Sequence, residues 1–537
     1  MKAILIMIST LFLFKVNSDK PCILKQYEGR EKFVCVCNAT YCDEIDEIND
    51  LKPFEAIIYE SSESGKRFQK TTTGFTNYSK YANKSQQRRI VVNEKQKFQK
   101  IFGFGGAFTD ASGINLNSLS EKTREALIRS YFSDTGLQYS LGRVPIASCD
   151  FSTHVYSYDD IADDFGLKNF SLTDEDRKLK VKLLKFKDNL EKKQMIPFIQ
   201  QALNFTNGQM KIFASPWSAP FWMKSTNSMA GGGTLKVNNN ESYHVTWANY
   251  FIKFIEEYKK ANINIWGITV QNEPTTGVAL DYKFQTMYFN PLTERDFIKK
   301  HLGPTFKKSP VAKDVKIIIM DDQRIQLPQW PDQVLRDAET EKYVSGIGVH
   351  WYLNFVSAKR LSETHNRHPN KFILATEACA GFIMPNKGPF MGDWDRAIHY
   401  THDIIDDLAN WVVGWTDWNL CLDVNGGPNW VENFVDSPII VNATLDEFYK
   451  QPMFYAMGHF SKFVRPGSFR IESIIKDPSV PFEAIAFVTP KSQTVLIMNN
   501  PDFEQTFMLT IEDKSIKDKF LDIILKPRTL MSIVWKK

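Results

Sequence analysis

The chain of 537 residues carries 66 Lys and Arg against 62 Asp and Glu, a formal charge of +4 at neutral pH. Its 43% hydrophobic and 13% aromatic content excludes a mainly disordered protein and supplies core for two or three domains. No basic stripe interleaved with aromatics occurs, so no nucleic acid is expected as a partner.

Residues 1–18 read as a secretory signal: Lys2, an apolar centre from Ile4 to Phe14, then the small residues Val16 and Ser18 before a cut. The apolar run is too brief to span a bilayer, and no later stretch reaches spanning length. Cys22, Cys35, Cys37 and Cys42 follow within 21 residues, a staple pattern for an oxidising compartment. Zinc is the rival use of these thiols, but the segment brings no nearby His. Sequons at Asn38, Asn77, Asn83, Asn169, Asn204, Asn240 and Asn442 predict a glycoprotein and mark surface positions.

The two flanks, residues 52–96 and 467–537, hold short alternating runs such as EAIIYE, RIVVN, AIAFVT, TVLIMNN and TLMSIVW. They predict a β-sandwich completed by both pieces. Between the flanks, eight runs predict buried strands: 100–106, 139–146, 211–217, 265–273, 315–323, 345–352, 371–377 and 411–418. Most begin apolar and end polar or aromatic, which suits a parallel sheet covered on both faces. Helical stripes fill several gaps: Leu179, Leu183, Phe186 and Leu190 after a capping-box-like Thr173 and Asp176; Trp247, Phe251, Phe254 and Tyr258; and Ile398, Ile405 and Leu408. Eight strand-then-helix units predict an α/β fold, a (β/α)8 TIM barrel with insertions.

Catalytic groups of such a barrel stand at the carboxyl ends of its strands. Two glutamates stand there: Glu273 in ITVQNEP, at strand four, and Glu377 in FILATEACAG, at strand seven. A carboxyl at the end of a buried strand is costly unless paired or used, and a pair facing one another is what glycoside hydrolysis requires. His350 reads as an orienting residue, because no second His has ligand spacing. Asp150 and Asp417 are strand-end acids that serve as ligands or as structural caps. Cys379 reads as a buried free thiol, and FGFGGAF (102–108) lacks the Lys of a phosphate loop.

The runs QKFQKIFGFGGAFTD, RVPIASCDFS, ASPWSAPFWMK, TVQNEP, GVHWY, ATEACAG, GWTDWNL and GGPNW, with VCVCNATYCD near the start, come in one order along the chain. Together they resemble the acid β-glucosidase (glucosylceramidase) branch of glycoside hydrolase family 30. The resemblance implies Glu273 as general acid/base and Glu377 as nucleophile of a retaining double displacement that cleaves glucosylceramide to glucose and ceramide. It implies sugar contacts from Asp150, Trp217, Asn272, Trp418 and Asn429, and a surrounding shell of Arg143, His350, Trp351 and Tyr352. Tyr282 and Phe284 would lie toward the lipid side.

It also implies the disulfides Cys22–Cys35 and Cys37–Cys42. The implied division is a small N-terminal antiparallel sheet from 19–51 with 420–449, a β-sandwich from 52–96 with 467–537, and a barrel from 97–419 with 450–466. No metal or organic cofactor is expected. Expected partners are membrane glucosylceramide, anionic lipid, a saposin-like activator and a lysosomal sorting receptor, in the lysosome lumen or secreted. Another β-glycoside (a steryl glucoside, β-xyloside or β-1,6-glucan) on the same fold is the alternative.

Overall fold

Eight parallel strands close into a barrel in the computed structural model, which describes residues 20–27, 32–46, 48, 51–81, 87–180, 198–476 and 479–537. In chain order they are β1 (Gly103–Ala107), β2 (Leu141–Ile146), β3 (Lys211–Pro216), β4 (Ile265–Thr269), β5 (Lys316–Gln323), β6 (Val344–His350), β7 (Phe372–Glu377) and β8 (Val412–Asn419). Each of the eight predicted runs supplies one of them. β8 pairs with β1 and β4 with β5, so the ring has no free edge. Continuous apolar sequence forms these strands because helices cover their outer face while side chains fill the interior.

β4 is shorter than its run suggested. Its regular pairing stops at Thr269, although Val270 and Glu273 still donate backbone hydrogen bonds to Ile318 and Asp321 of β5. β5 is irregular at the same level: Met320 and Asp321 take positive φ (71° and 50°), and its ladder with β6 slips one residue between Met320 and Asp322. Such a bulge re-aims side chains near a barrel rim.

The helix Ser242–Lys260 lays Trp247, Phe251, Phe254 and Tyr258 on the barrel, all fully buried. Each such ring contributes on the order of 1.5–3 kcal/mol by leaving water. Ile398, Ile405 and Leu408 face inward from Trp394–Ala409 in the same way. The expected stripe from Leu179 to Leu190 and the signal segment 1–18 lie outside the described side chains.

Two further sheets flank the barrel. One has five strands in the order Leu24–Tyr27, Lys32–Asn38, Glu447–Lys450, Ile439–Asn442 and Leu422–Asp423. Disulfides Cys22–Cys35 and Cys37–Cys42 fasten its N-terminal part. The other is one continuous nine-stranded sheet in which Gln87–Lys100 is the longest strand. It curls back on itself: Thr76, past one edge, pairs with Phe520 beside the other edge, and Trp535 donates across the core to Asp513. The sandwich expected from the flanks is therefore a single sheet bent around its own core. The six sequon asparagines among the described residues are exposed or half-buried, and Asn83 lies outside them.

Candidate active site

A fully buried carboxylate, Asp321, stands at the bulge of β5. It accepts from Arg143 Nη2 at 2.9 Å, Thr269 Oγ1 at 2.7 Å and His350 Nε2 at 3.0 Å. Burial alone would raise its carboxyl; the Arg143 guanidinium and the His350 ring outweigh that and hold it well below the usual range. Two cations therefore meet on one buried anion, and each then reaches a different glutamate.

Arg143, from β2, donates through Nη1 to Glu377 Oε2 and through Nη2 to Asn272 Oδ1 at 2.8 Å, while Nε reaches Ser215 at 3.2 Å. Tyr352 donates to the other oxygen of Glu377 at 2.7 Å. Burial pushes the Glu377 carboxyl upward, opposed by Arg143 and His350, while the charge of Glu273 adds to the rise. His350 completes the other branch, with Nδ1 3.1 Å from Glu273 Oε1. Burial would lower this ring, but Glu377 and Asp321 overcome it and hold His350 at about 10, so both nitrogens donate. Gln323 adds a second tether to Glu273, its Nε2 donating to Oε1 at 2.7 Å. Glu273 itself sits at φ 41°, a left-handed conformation uncommon outside Gly, with its backbone N–H donating to Asp321 O at 2.9 Å.

An oxygen of Glu273, an oxygen of Glu377 and a ring nitrogen of His350 lie within 4.8 Å of one another. The trio resembles a metal site in spacing alone. A protonated imidazole has no lone pair to give, and Arg143 already supplies the positive charge.

Above this floor opens a cavity of about 370 Å³, inside the range of about 300–1,000 Å³ usual for small-molecule sites. Trp217 and Trp418, one residue past β3 and within β8, stack at 5.1 Å between centroids, with Arg143 5.1 and 5.3 Å from the two rings. Asp150 accepts from Asn433 at 3.1 Å and Asn429 at 3.2 Å, and burial raises it to about 7. Tyr282 and Phe284 meet edge to face at 4.7 Å on the outer side.

The expected residues thus fall into two groups. Asp150, Trp217, Asn272, Glu273, Tyr282, Phe284, Tyr352, Glu377 and Trp418 line the cavity. Arg143 and His350 sit beneath it, and Trp351 packs on Tyr400 and donates to the Cys379 carbonyl behind it. Asn429 also stands back: its amide holds Asp150, and its oxygen accepts from the backbones of Val431 and Asn433. Asn433 takes the lining position instead. Asp417 accepts from Tyr400 and the Trp418 backbone and is a structural acid. Cys379 is a buried thiol on the cavity wall, pushed up by burial. Asp321, Gln323 and Asn433 were not anticipated; the paired Asp-Asp after a β-rich run was the signal available for the first of them.

Comparison with known proteins identifies the family of the chain. The family model described as Glycosyl hydrolase family 30 TIM-barrel domain matches residues 101–464. The chain is 46% identical over 504 residues to putative glucosylceramidase 4 of Caenorhabditis elegans, covering 94% of this chain and 93% of that protein. It is 42% identical over 533 residues to the lysosomal acid glucosylceramidase of Mus musculus, covering 98% of each. Among solved structures, SrfJ from Salmonella typhimurium superposes with a TM-score of 0.78 at 29% identity, over 90% of this chain and all of that one.

Proposed function

The chain belongs to glycosyl hydrolase family 30, and on that premise we propose that it is a retaining β-glucosidase acting on glucosylceramide. The observation that carries the mechanism is the separation of the two glutamates, with oxygens within 4.8 Å. Retaining enzymes hold their carboxyls about 5–5.5 Å apart, whereas inverting ones need about 6.5–9.5 Å to admit a water.

Glu273 gives its proton to the glycosidic oxygen while Glu377 attacks the anomeric carbon, and ceramide leaves as an alcohol. Glu273, now ionised, takes a proton from water; the hydroxyl attacks the anomeric carbon of the glucosyl ester, releasing glucose and freeing Glu377. Arg143 and Tyr352 bind the carboxylate that Glu377 becomes on release. Burial favours a proton on Glu377 in the empty site. Glu273 is the shallower of the two, its side chain 14% exposed and open to the leaving oxygen.

The aglycone assignment rests on the rim. Val237, Val278, Leu280, Phe355, Ile383 and Met384 expose 60–84% of their surface on segments that follow β3, β4, β6 and β7, the strand ends at which the cavity opens. Large exposed apolar side chains on several segments of one barrel face suit a lipid surface. Anionic lipid, a saposin-like activator and delivery to an acidic lysosomal lumen belong to the same reading. Incubation with a fluorinated β-glucoside inactivator, followed by peptide mass, is expected to label Glu377. Glucosylceramide is expected to be turned over in preference to steryl glucosides, β-xylosides and β-1,6-glucan. Label on another residue would refute the mechanism, and preference for another glycoside would refute the substrate.

A further inference from the structure

Lys224 is fully buried just past the short turn Phe221–Met223 that follows β3. Its Nζ donates to three backbone carbonyls: Met229 at 3.1 Å, Gly231 at 2.6 Å and Thr286 at 2.7 Å. No carboxylate among the described residues pairs with it. A buried charge is costly, and here its three N–H groups are matched one to one by carbonyl oxygens rather than by a counter-ion.

Those carbonyls belong to two crossing loops. Residues 229–233 run against 277–288, with Gly231 N donating to Phe284 O, Gly232 N to Ala279 O and Gly233 N to Gly277 O at 2.9–3.0 Å. The approach is close enough that a Cβ on Gly232 would lie 2.3 Å from the Gly277 oxygen. The second loop carries Tyr282 and Phe284, which line the cavity on its outer side. We propose that the Lys224 ammonium is a positioning residue for the aglycone: by drawing three carbonyls of two loops onto one point, it sets where Tyr282 and Phe284 stand. The inference rests on reading the site as a β-glucosidase and adds a determinant of what the glucose is attached to.

The charge state matters to the clip. An ammonium has three donors for three carbonyls; a neutral amine has two and turns a lone pair toward oxygen. Burial lowers Lys224 to about 7, and it is the sole cause; Asp281 and Lys283 of the second loop, and Lys236 just past the first, contribute nothing to it. Asp322, raised to about 6 mainly by burial, binds Thr275 at the start of the second loop and is the other titrating group that could move it. The clip is whole in acid and loses a donor as pH rises through about 7.

The test compares two β-glucosides, one with a methyl and one with a long alkyl aglycone, in full-length enzyme at pH 5 and pH 8. For the parent, preference for the long chain, read as a ratio of kcat/KM values, is expected to fall between the two pH values. In Lys224→Met that ratio is expected to be roughly tenfold lower at pH 5, mainly through KM, and to show no inflection near pH 7. Lys224→Arg, which keeps the charge, is expected to recover part of it. Asp150 titrates in the same range but faces the sugar common to both substrates, so it cancels in the ratio. A folded Lys224→Met enzyme with the parent's ratio would overturn the proposal. If that variant does not fold, Lys224→Arg decides: its guanidinium does not titrate in this range, so a ratio that no longer falls between pH 5 and pH 8 supports the proposal, and one that falls as the parent's does assigns the effect to Asp322 and overturns it. Parent enzyme that hydrolyses neither glucoside would instead refute the β-glucosidase reading.

Discussion

Replacing Asp321 by Asn tests whether one buried carboxylate governs both glutamates. The change keeps side-chain size and removes the charge shared by Arg143 and His350. Holding His350 at about 10 against its ordinary 6.5 corresponds to about 5 kcal/mol in favour of the charged ring. One opposite charge at hydrogen-bond distance accounts for about 1–3 pH units, so the variant's ring titrates between about 7 and 9. Because the folded value lies above the unfolded one, the stability His350 contributes is complete below about pH 6.5 and is lost as pH rises toward about 10. The variant's deficit from this source is therefore largest in acid, about 1.5–4 kcal/mol, and shrinks on the way to pH 10. Arg143, left with one carboxylate, also loosens its hold on Glu377; a misplacement near 1 Å costs about a hundredfold in kcat/KM. Urea unfolding across pH 5–10 and a pH profile of kcat/KM provide the measurements. A variant that runs parallel to the parent in stability at every pH, and stays within a few-fold of it in activity, would refute the reasoning.

The second prediction concerns Glu294, fully buried behind β5 and raised to about 8, chiefly by burial. The folded chain keeps this proton where the unfolded one releases it, so parent stability should fall by a few kcal/mol between pH 4.5 and pH 8; Glu294→Gln should flatten that slope in chemical unfolding. Trp418→Ala removes half of the stacked indole floor and should raise KM for a small aryl β-glucoside about tenfold or more; unchanged steady-state kinetics would remove that ring from the sugar site. Gly105→Ala on β1 would place a Cβ 2.0 Å from the Leu141 carbonyl oxygen, a backbone atom that cannot step aside. That variant is expected to be insoluble or lowered in Tm by many degrees, and a parent-like thermal scan would contradict the barrel register.

The barrel was legible because each strand's composition reports its own surroundings. KIIIMDD is apolar where helices cover it and acidic where it emerges, and no other part of the chain is needed to say so. The glutamates were legible for the same reason: they stand at the ends of such runs. Asp321 was not, since a one-residue slip in pairing decides which of two neighbouring aspartates turns inward, and that slip arises between strands. Asn429 and Asn433 lie four residues apart and both hold Asp150, and only the fold shows that the second also meets the cavity. Lys224 is the extreme case. Lysine after a run of aromatics reads as a solvated end, and nothing local reveals three carbonyls gathering around it from as far away as residue 286. What sequence conceals here is one class of information: the partners of buried charge. Those partners are also what separate a pair of strand-end carboxyls from a working acid and nucleophile, because Asp321, Arg143 and His350 decide how each glutamate is held. The chemistry can be guessed from two residues, but its control lies in contacts that exist only after the barrel has closed.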